Sequence, residues 1–286
     1  MTDLTLDAAT LRQWIGRTEQ RHDRLDPRPA RLMQATLDRP VNLREGDALP
    51  PLWHWLYFPP ETETSGLGPD GHPKRGGFLP PVALPRRMWA GGRLTFAADL
   101  RLGEMVAKHS DITALELKPG RSGDLCFVTV RHRFTVNGDL RLTEEHDIVY
   151  RNLPAPDAPA PSPPQATGTA STTRAITPSM PLLFRYSALT FNSHRIHYDL
   201  DHCRTVEGYP GCIVHGPLVA TLLAGLARER LGPLSRFAFR ATSPLFHTDR
   251  FSLNAGDGAP LPLWAARADG ALAMTCLLYT SDAADD

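Results

Sequence analysis

Four side chains able to move a proton or orient a reacting group, Asn192, His194, His197 and Asp199, fall within eight positions in FNSHRIHYD, residues 191–199. Imidazole titrates near 6.5, closer to neutrality than any other common side chain, so His197 and His194 are candidate general bases. A lone histidine is more often a satisfied core or surface residue; the clustering favours chemistry. A second group, GYPGCIVHGPLVATLLAGL over residues 208–226, sets His215 and Gly216 where a helix should begin. Unpaired N–H groups and the positive end of the helix dipole converge at such a start and would stabilise a developing oxyanion. The absence of a side chain at Gly216 lets a substrate approach the backbone closely. Alone, this would be a plain loop-to-helix junction; beside the histidines it reads as part of a site.

These groups need elements to hold them. Pro217 to Leu231 reads as a helix, with proline at the favoured first position and Gly232 just past the end. Leu218, Val219, Leu222, Leu223, Leu226 and Ala227 cover most of its circumference, so it should be buried on nearly every side. Strand-like segments follow at 237–241, 251–253 and 261–268. Upstream, Leu11, Trp14 and Ile15 suggest an amphipathic helix within Leu4–Leu25, capped by Asp7. Four strands are then expected, at 93–100, 105–118, 124–136 and 140–150, with Asn137-Gly138 as a hairpin turn. The run NLPAPDAPAPSPPQATGTASTTRAITPS reads as a linker over 152–179. It divides an N-terminal domain, 1–151, from a C-terminal catalytic domain, 180–275. The last stretch, 276–286, reads as an atypical tail that is dispensable from Ser281 onward. A helix enclosed by an antiparallel sheet is the α+β arrangement this order suggests.

Thirty-one basic and thirty-one acidic side chains cancel, removing the field that a phosphate-backbone binder carries, so nucleic acid is not an expected partner. Cys126, Cys203, Cys212 and Cys276 form no metal or disulfide spacing and read as reduced thiols. The start MTDLTLDAAT lacks the basic and apolar regions of a signal peptide, and the most apolar stretch, 212–227, is too short to span a membrane. A cytoplasmic protein is expected. The loop GLGPDGHPKRGGFLPP, 66–81, lacks the order of a phosphate-binding loop and is expected to cover the site or support the domain interface. Arg86 and Arg87 could pair with a substrate carboxylate or phosphate.

YSALTFNSHRIHYD followed by GYPGCIVHGPLVATLL resembles the catalytic half of MaoC-like R-specific enoyl-CoA hydratases. It is closer still to mitochondrial-type 3-hydroxyacyl-thioester dehydratases and bacterial 3-methylfumaryl-CoA (mesaconyl-C4-CoA) hydratases. MWAGGRLTFAADLRLGE and LTEEHDIVYR resemble the same branch, and the likeness runs from about residue 5 to 275. It implies a double hotdog, each half a long helix wrapped by a curved antiparallel sheet, with the N-terminal half non-catalytic. It also implies a hydro-lyase that hydrates an enoyl-CoA or dehydrates a 3-hydroxyacyl thioester, with no metal and no cofactor. The acyl-CoA or acyl-carrier thioester is the expected partner, with a second copy of the chain as a further candidate. Carried over by position, His197 is the base, Asn192 and His194 orient water or substrate, and the Gly216 N–H holds the thioester oxygen, with His215 beside the substrate. The family's acid is replaced by Asn192, whose amide cannot accept a proton as a carboxylate does, and a serine of some relatives is Ala224. The rival readings are a metal hydrolase using His194, His197, Asp199 and His202, a thioesterase, and a non-catalytic acyl-thioester binding module.

Overall fold

Alternating apolar and polar residues draw most of this chain into one sheet. In the computed structural model, which describes residues 7–120, 123–152 and 162–279, that sheet has ten strands. The N-terminal half contains α1 (Ala8–Arg12), β1 (Thr18–Arg24), α2 (Pro27–Thr36), β2 (Arg86–Phe96), β3 (Met105–Gly120), β4 (Gly123–Val136) and β5 (Asp139–Arg151). The C-terminal half contains β6 (Thr172–Ile176), α3 (Met180–Leu189), α4 (Leu200–Thr205), α5 (Gly216–Leu231), β7 (Arg236–Ala241), β8 (Phe251–Ala255), β9 (Leu261–Arg267) and β10 (Leu272–Tyr279).

The strand order is β1-β3-β4-β5-β2-β7-β10-β9-β8-β6. Counted inward from either edge, each half places its first, third, fourth, fifth and second strand in the same succession. The halves are therefore a structural duplication, joined where β2 pairs antiparallel with β7. This is the α+β double hotdog that the resemblance implies. Helix α5 occupies the C-terminal half, packing on β7, β8, β9 and β10. Leu218, Leu223 and Leu226 are at most 1% exposed, and full burial of each such side chain contributes about 1.5–3 kcal/mol. The helices of the N-terminal half are shorter: α1 has five residues and α2 ten, with 3₁₀ turns at Trp53–Leu56 and Thr64–Gly66.

Three local expectations change. The helix over Leu4–Leu25 is only α1, which Asp7 does cap through the N–H groups of Ala9 and Thr10. The rest becomes an edge strand, β1, whose polar sequence TEQRHDR gave no apolar alternation; residues 4–6 lie outside the described residues. The linker gives up Thr172–Ile176 to β6, which covers the open edge of β8; residues 153–161 lie outside the described residues. The supposed tail begins too early, because Cys276 to Tyr279 complete β10 between β7 and β9, with Leu278 1% exposed. Residues 280–286, with the dispensable end, lie outside the described residues. The hairpin joins β4 to β5 as expected, with positive φ at both Asn137 and Gly138.

Candidate active site

Helix α3, capped by Ser179, ends at Thr190. Phe191 then takes a positive φ of 50°, and the chain turns back so that the Asn192 N–H donates to the Ser187 carbonyl at 2.8 Å. The Asn192 Oδ1 accepts from the His194 N–H at 3.0 Å. Its amide oxygen therefore shapes the turn that presents His194. Asp199 caps α4 through the His202 N–H, 2.9 Å, and pairs with Arg195 at 2.8 Å.

His197 lies on the 3₁₀ turn Arg195–His197 and is 7% exposed. Its Nδ1 is 2.8 Å from the Ile213 carbonyl oxygen. A carbonyl can only accept, so Nδ1 carries the proton and Nε2 keeps its lone pair. Among the described residues that Nε2 has no hydrogen-bond partner. Burial pulls the ring pKa down to about 4, against the pull of the Ile213 carbonyl, and His72 adds a smaller push in the same direction as burial. The base form is therefore standing ready at neutral pH.

His215 stacks on His197 with ring centres 3.6 Å apart and is bonded through Nε2 to the Ser187 hydroxyl at 2.8 Å. It has no exposed surface and backs the His197 ring. The next residue, Gly216, opens α5; its N–H makes no hydrogen bond among the described residues, and a Cβ there would meet nothing within 4 Å. The helix start thus offers an unpartnered donor beside an open Cβ position.

The N-terminal half also reaches this site. Gly71 sits at φ +85°, and a Cβ on it would lie 1.9 Å from the Ser193 carbonyl oxygen, so only glycine lets the 66–81 loop dock here. The Arg195 N–H donates to the Asp70 carbonyl at 2.9 Å, and the His72 ring lies 3.8 Å from that of His194. Asp70 accepts from His72 Nδ1 at 3.0 Å. Burial opposes the charge on Asp70, yet the His72 hydrogen bond holds its pKa well below the carboxylate range. Burial, reinforced by His72 and His197, lowers His194 to about 2. Asp70 and His72 were missed as site residues; their signal was a carboxylate and an imidazole two apart in a glycine-rich loop expected to cover the site.

The two arginines part company. Arg86 bonds Glu207 through its side chain at 3.1 Å and lies over the Tyr209 ring at 4.9 Å. Arg87 has no carboxylate partner among the described residues, and its charge is felt by His72, His146, His194 and Tyr150. The metal set His194, His197, Asp199 and His202 is not assembled, because Asp199 is committed to α4 and Arg195. The close donor cluster among the described residues is instead Asp70, His72 and His194, with ligand atoms within 4.8 Å of one another.

Comparison with known proteins fits this geometry. Residues 52–247 match the hydroxyacyl-thioester dehydratase type 2 family. The chain belongs to that family. It is a hydro-lyase with a double hotdog fold. The mesaconyl-C(4)-CoA hydratase of Chloroflexus aurantiacus is 46% identical over 274 residues, 94% of this chain and 98% of that protein. A MaoC-like dehydratase from Phytophthora capsici has the same fold, with a TM-score of 0.72 at 13% identity, covering 98% of this chain and 100% of its own. A double hotdog protein of Mycobacterium tuberculosis superposes at a TM-score of 0.57 and 14% identity, over 92% of this chain and 95% of its own. Among the described residues, no helix of this family member is long and apolar enough to cross a membrane.

Proposed function

We propose that this hydro-lyase adds water to 3-methylfumaryl-CoA (mesaconyl-C4-CoA), giving citramalyl-CoA, and that the reaction runs at His197 and Gly216 in the cytoplasm. The observation that carries the reading is the pairing of a tautomer-locked His197, its Nε2 lone pair free, with the unpartnered Gly216 N–H at the start of α5. The Gly216 N–H polarises the thioester carbonyl, which makes the β-carbon electrophilic. His197 Nε2 takes a proton from water as its oxygen bonds to the β-carbon, and the double bond shifts to an enolate. The imidazolium so formed is the acid that returns a proton to the α-carbon, so one water is added and the base is regenerated. The Asp70–His72 pair stands behind His194 and supplies the carboxylate that Asn192 lacks, holding His72 in one tautomer.

The test is a panel of CoA esters followed by loss of enoyl absorbance and by free-thiol release. Hydration of 3-methylfumaryl-CoA ahead of crotonyl-CoA, with no thiol released, is the expected result. Thiol release would make the chain a thioesterase, and binding without turnover a binding module; either would overturn the reading.

A further inference from the structure

The inner face of the C-terminal half is apolar where α5 covers it, with Leu253, Leu263, Ala265, Met274 and Cys276 all buried. The corresponding face of the N-terminal half is interrupted. Val106, Phe134 and Leu142 belong to one apolar cluster, and Ile112, Val128, Val130 and Ile148 to another. Between them, on β3, β4 and β5, lies a belt made of Lys108, Ser110, His132, Glu144 and His146. Ser110, His132 and Glu144 pair across three adjacent strands, with Lys108 and His146 one step to either side; such a band would be a serious defect in a plain core.

Most of the belt is accounted for internally. Glu144 accepts from Trp55 Nε1 at 2.9 Å and bonds His54 Nε2 at 3.0 Å, and His132 bonds Ser110 at 2.8 Å. Lys108 and His146 are not. The Lys108 ammonium rests 6.0 and 5.8 Å above the rings of Phe58 and Phe134, with no carboxylate at ion-pair distance among the described residues. His146 lies under Trp89 at 4.0 Å and makes no hydrogen bond among the described residues. Both are partly exposed rather than sealed in the core. Arg87 precedes Trp89, the ring that lies against His146, by two residues on β2, and its charge is felt by His146 on one side and by His72 and His194 on the other.

We infer that this belt receives a carboxylate at the far end of the acyl group, with Lys108 as its countercharge, His146 as a further donor and Arg87 at the approach from His194. A partly desolvated ammonium with no carboxylate at ion-pair distance carries a cost that a substrate carboxylate would remove on binding. The inference deepens the hydratase reading by placing substrate selection in the N-terminal half, and its test uses ligands that cannot be hydrated, so it can fail or hold independently of turnover.

The full chain is titrated calorimetrically with succinyl-CoA and butyryl-CoA, which match in chain length and differ in the terminal carboxylate. The wild type should bind succinyl-CoA more tightly, and Lys108→Met should reduce that preference by roughly 10- to 100-fold, the range for a hydrogen bond to a charged group. Lys108→Arg, which keeps the charge, should retain most of it. Should Lys108→Met not fold, His146→Phe tests the same preference and should lower it. A wild type indifferent to the carboxylate, or folded variants that keep the wild-type ratio, would overturn the inference.

Discussion

At the scale of single residues, one hydrogen bond decides the chemistry of His197. The Ile213 carbonyl fixes the proton on Nδ1, and burial keeps the ring neutral with a pKa near 4. Activity requires the neutral form, so it is retained above that value and lost as pH falls through it. The pH profile of kcat/KM should therefore carry its acid limb well below 6.5, toward about 4; a limb at 6.5 would mean that the essential base is not this buried ring. Gly216 can be tested without disturbing packing, because its Cβ position is open. Gly216→Val should fold and bind but lose roughly 10²- to 10³-fold in turnover, as for a missing oxyanion donor; unimpaired hydration would make that helix start merely structural. The candidate base and donor were both legible in FNSHRIHYD and VHGP. The burial of His215 and the diversion of Arg86 to Glu207 were not, because neither depends on local sequence.

At the scale of elements, docking of the 66–81 loop on the histidine segment depends on Gly71. Gly71→Ala would drive a methyl into the Ser193 carbonyl at a positive φ and should lift His72 off His194. A shift of about 1 Å in positioning groups can cost roughly 10²-fold in rate, so kcat of the folded variant should fall by that order; an unchanged kcat would show that the loop is only a cover. In β10, Leu278→Ala should cost about 2–5 kcal/mol in urea denaturation, whereas the half-exposed Leu277 should tolerate alanine within about 0.5 kcal/mol. Equal costs would contradict the assignment of residues 276–279 to the core. Helix α5 and the β4–β5 hairpin were readable because their periodicity and turn residues are local. β1 and β6 were not, because edge strands with little apolar content take their conformation from the strands beside them. Asp70 and His72 meet the histidine segment across more than a hundred residues of chain, a pairing that no local pattern encodes.

At the scale of the whole molecule, the duplicated sheet has diverged in its contents: one half encloses α5, and the other encloses an ionisable belt. The price is acid sensitivity. His197 and His146 are both lowered to about 4, and His132 and His215 lie well below 6.5, each chiefly through burial. Below about 6.5 the unfolded chain binds protons that the folded protein refuses. Stability should thus be full above that pH and decline as pH falls toward the folded values, with the depressed Glu144 adding to the loss below its ordinary 4.5. The urea midpoint should fall between pH 7.5 and 5; a midpoint that is flat or rises on acidification would contradict the buried neutral histidines.

The central claim is that His197 moves the proton when an enoyl thioester is hydrated, and it is tested most directly by the initial rate of 3-methylfumaryl-CoA hydration in wild type and His197→Ala. Both proteins are first matched by circular dichroism and thermal midpoint. A loss of roughly 10²- to 10⁴-fold in the folded variant is the result expected for a missing general base. Near-native hydration by folded His197→Ala would contradict the account.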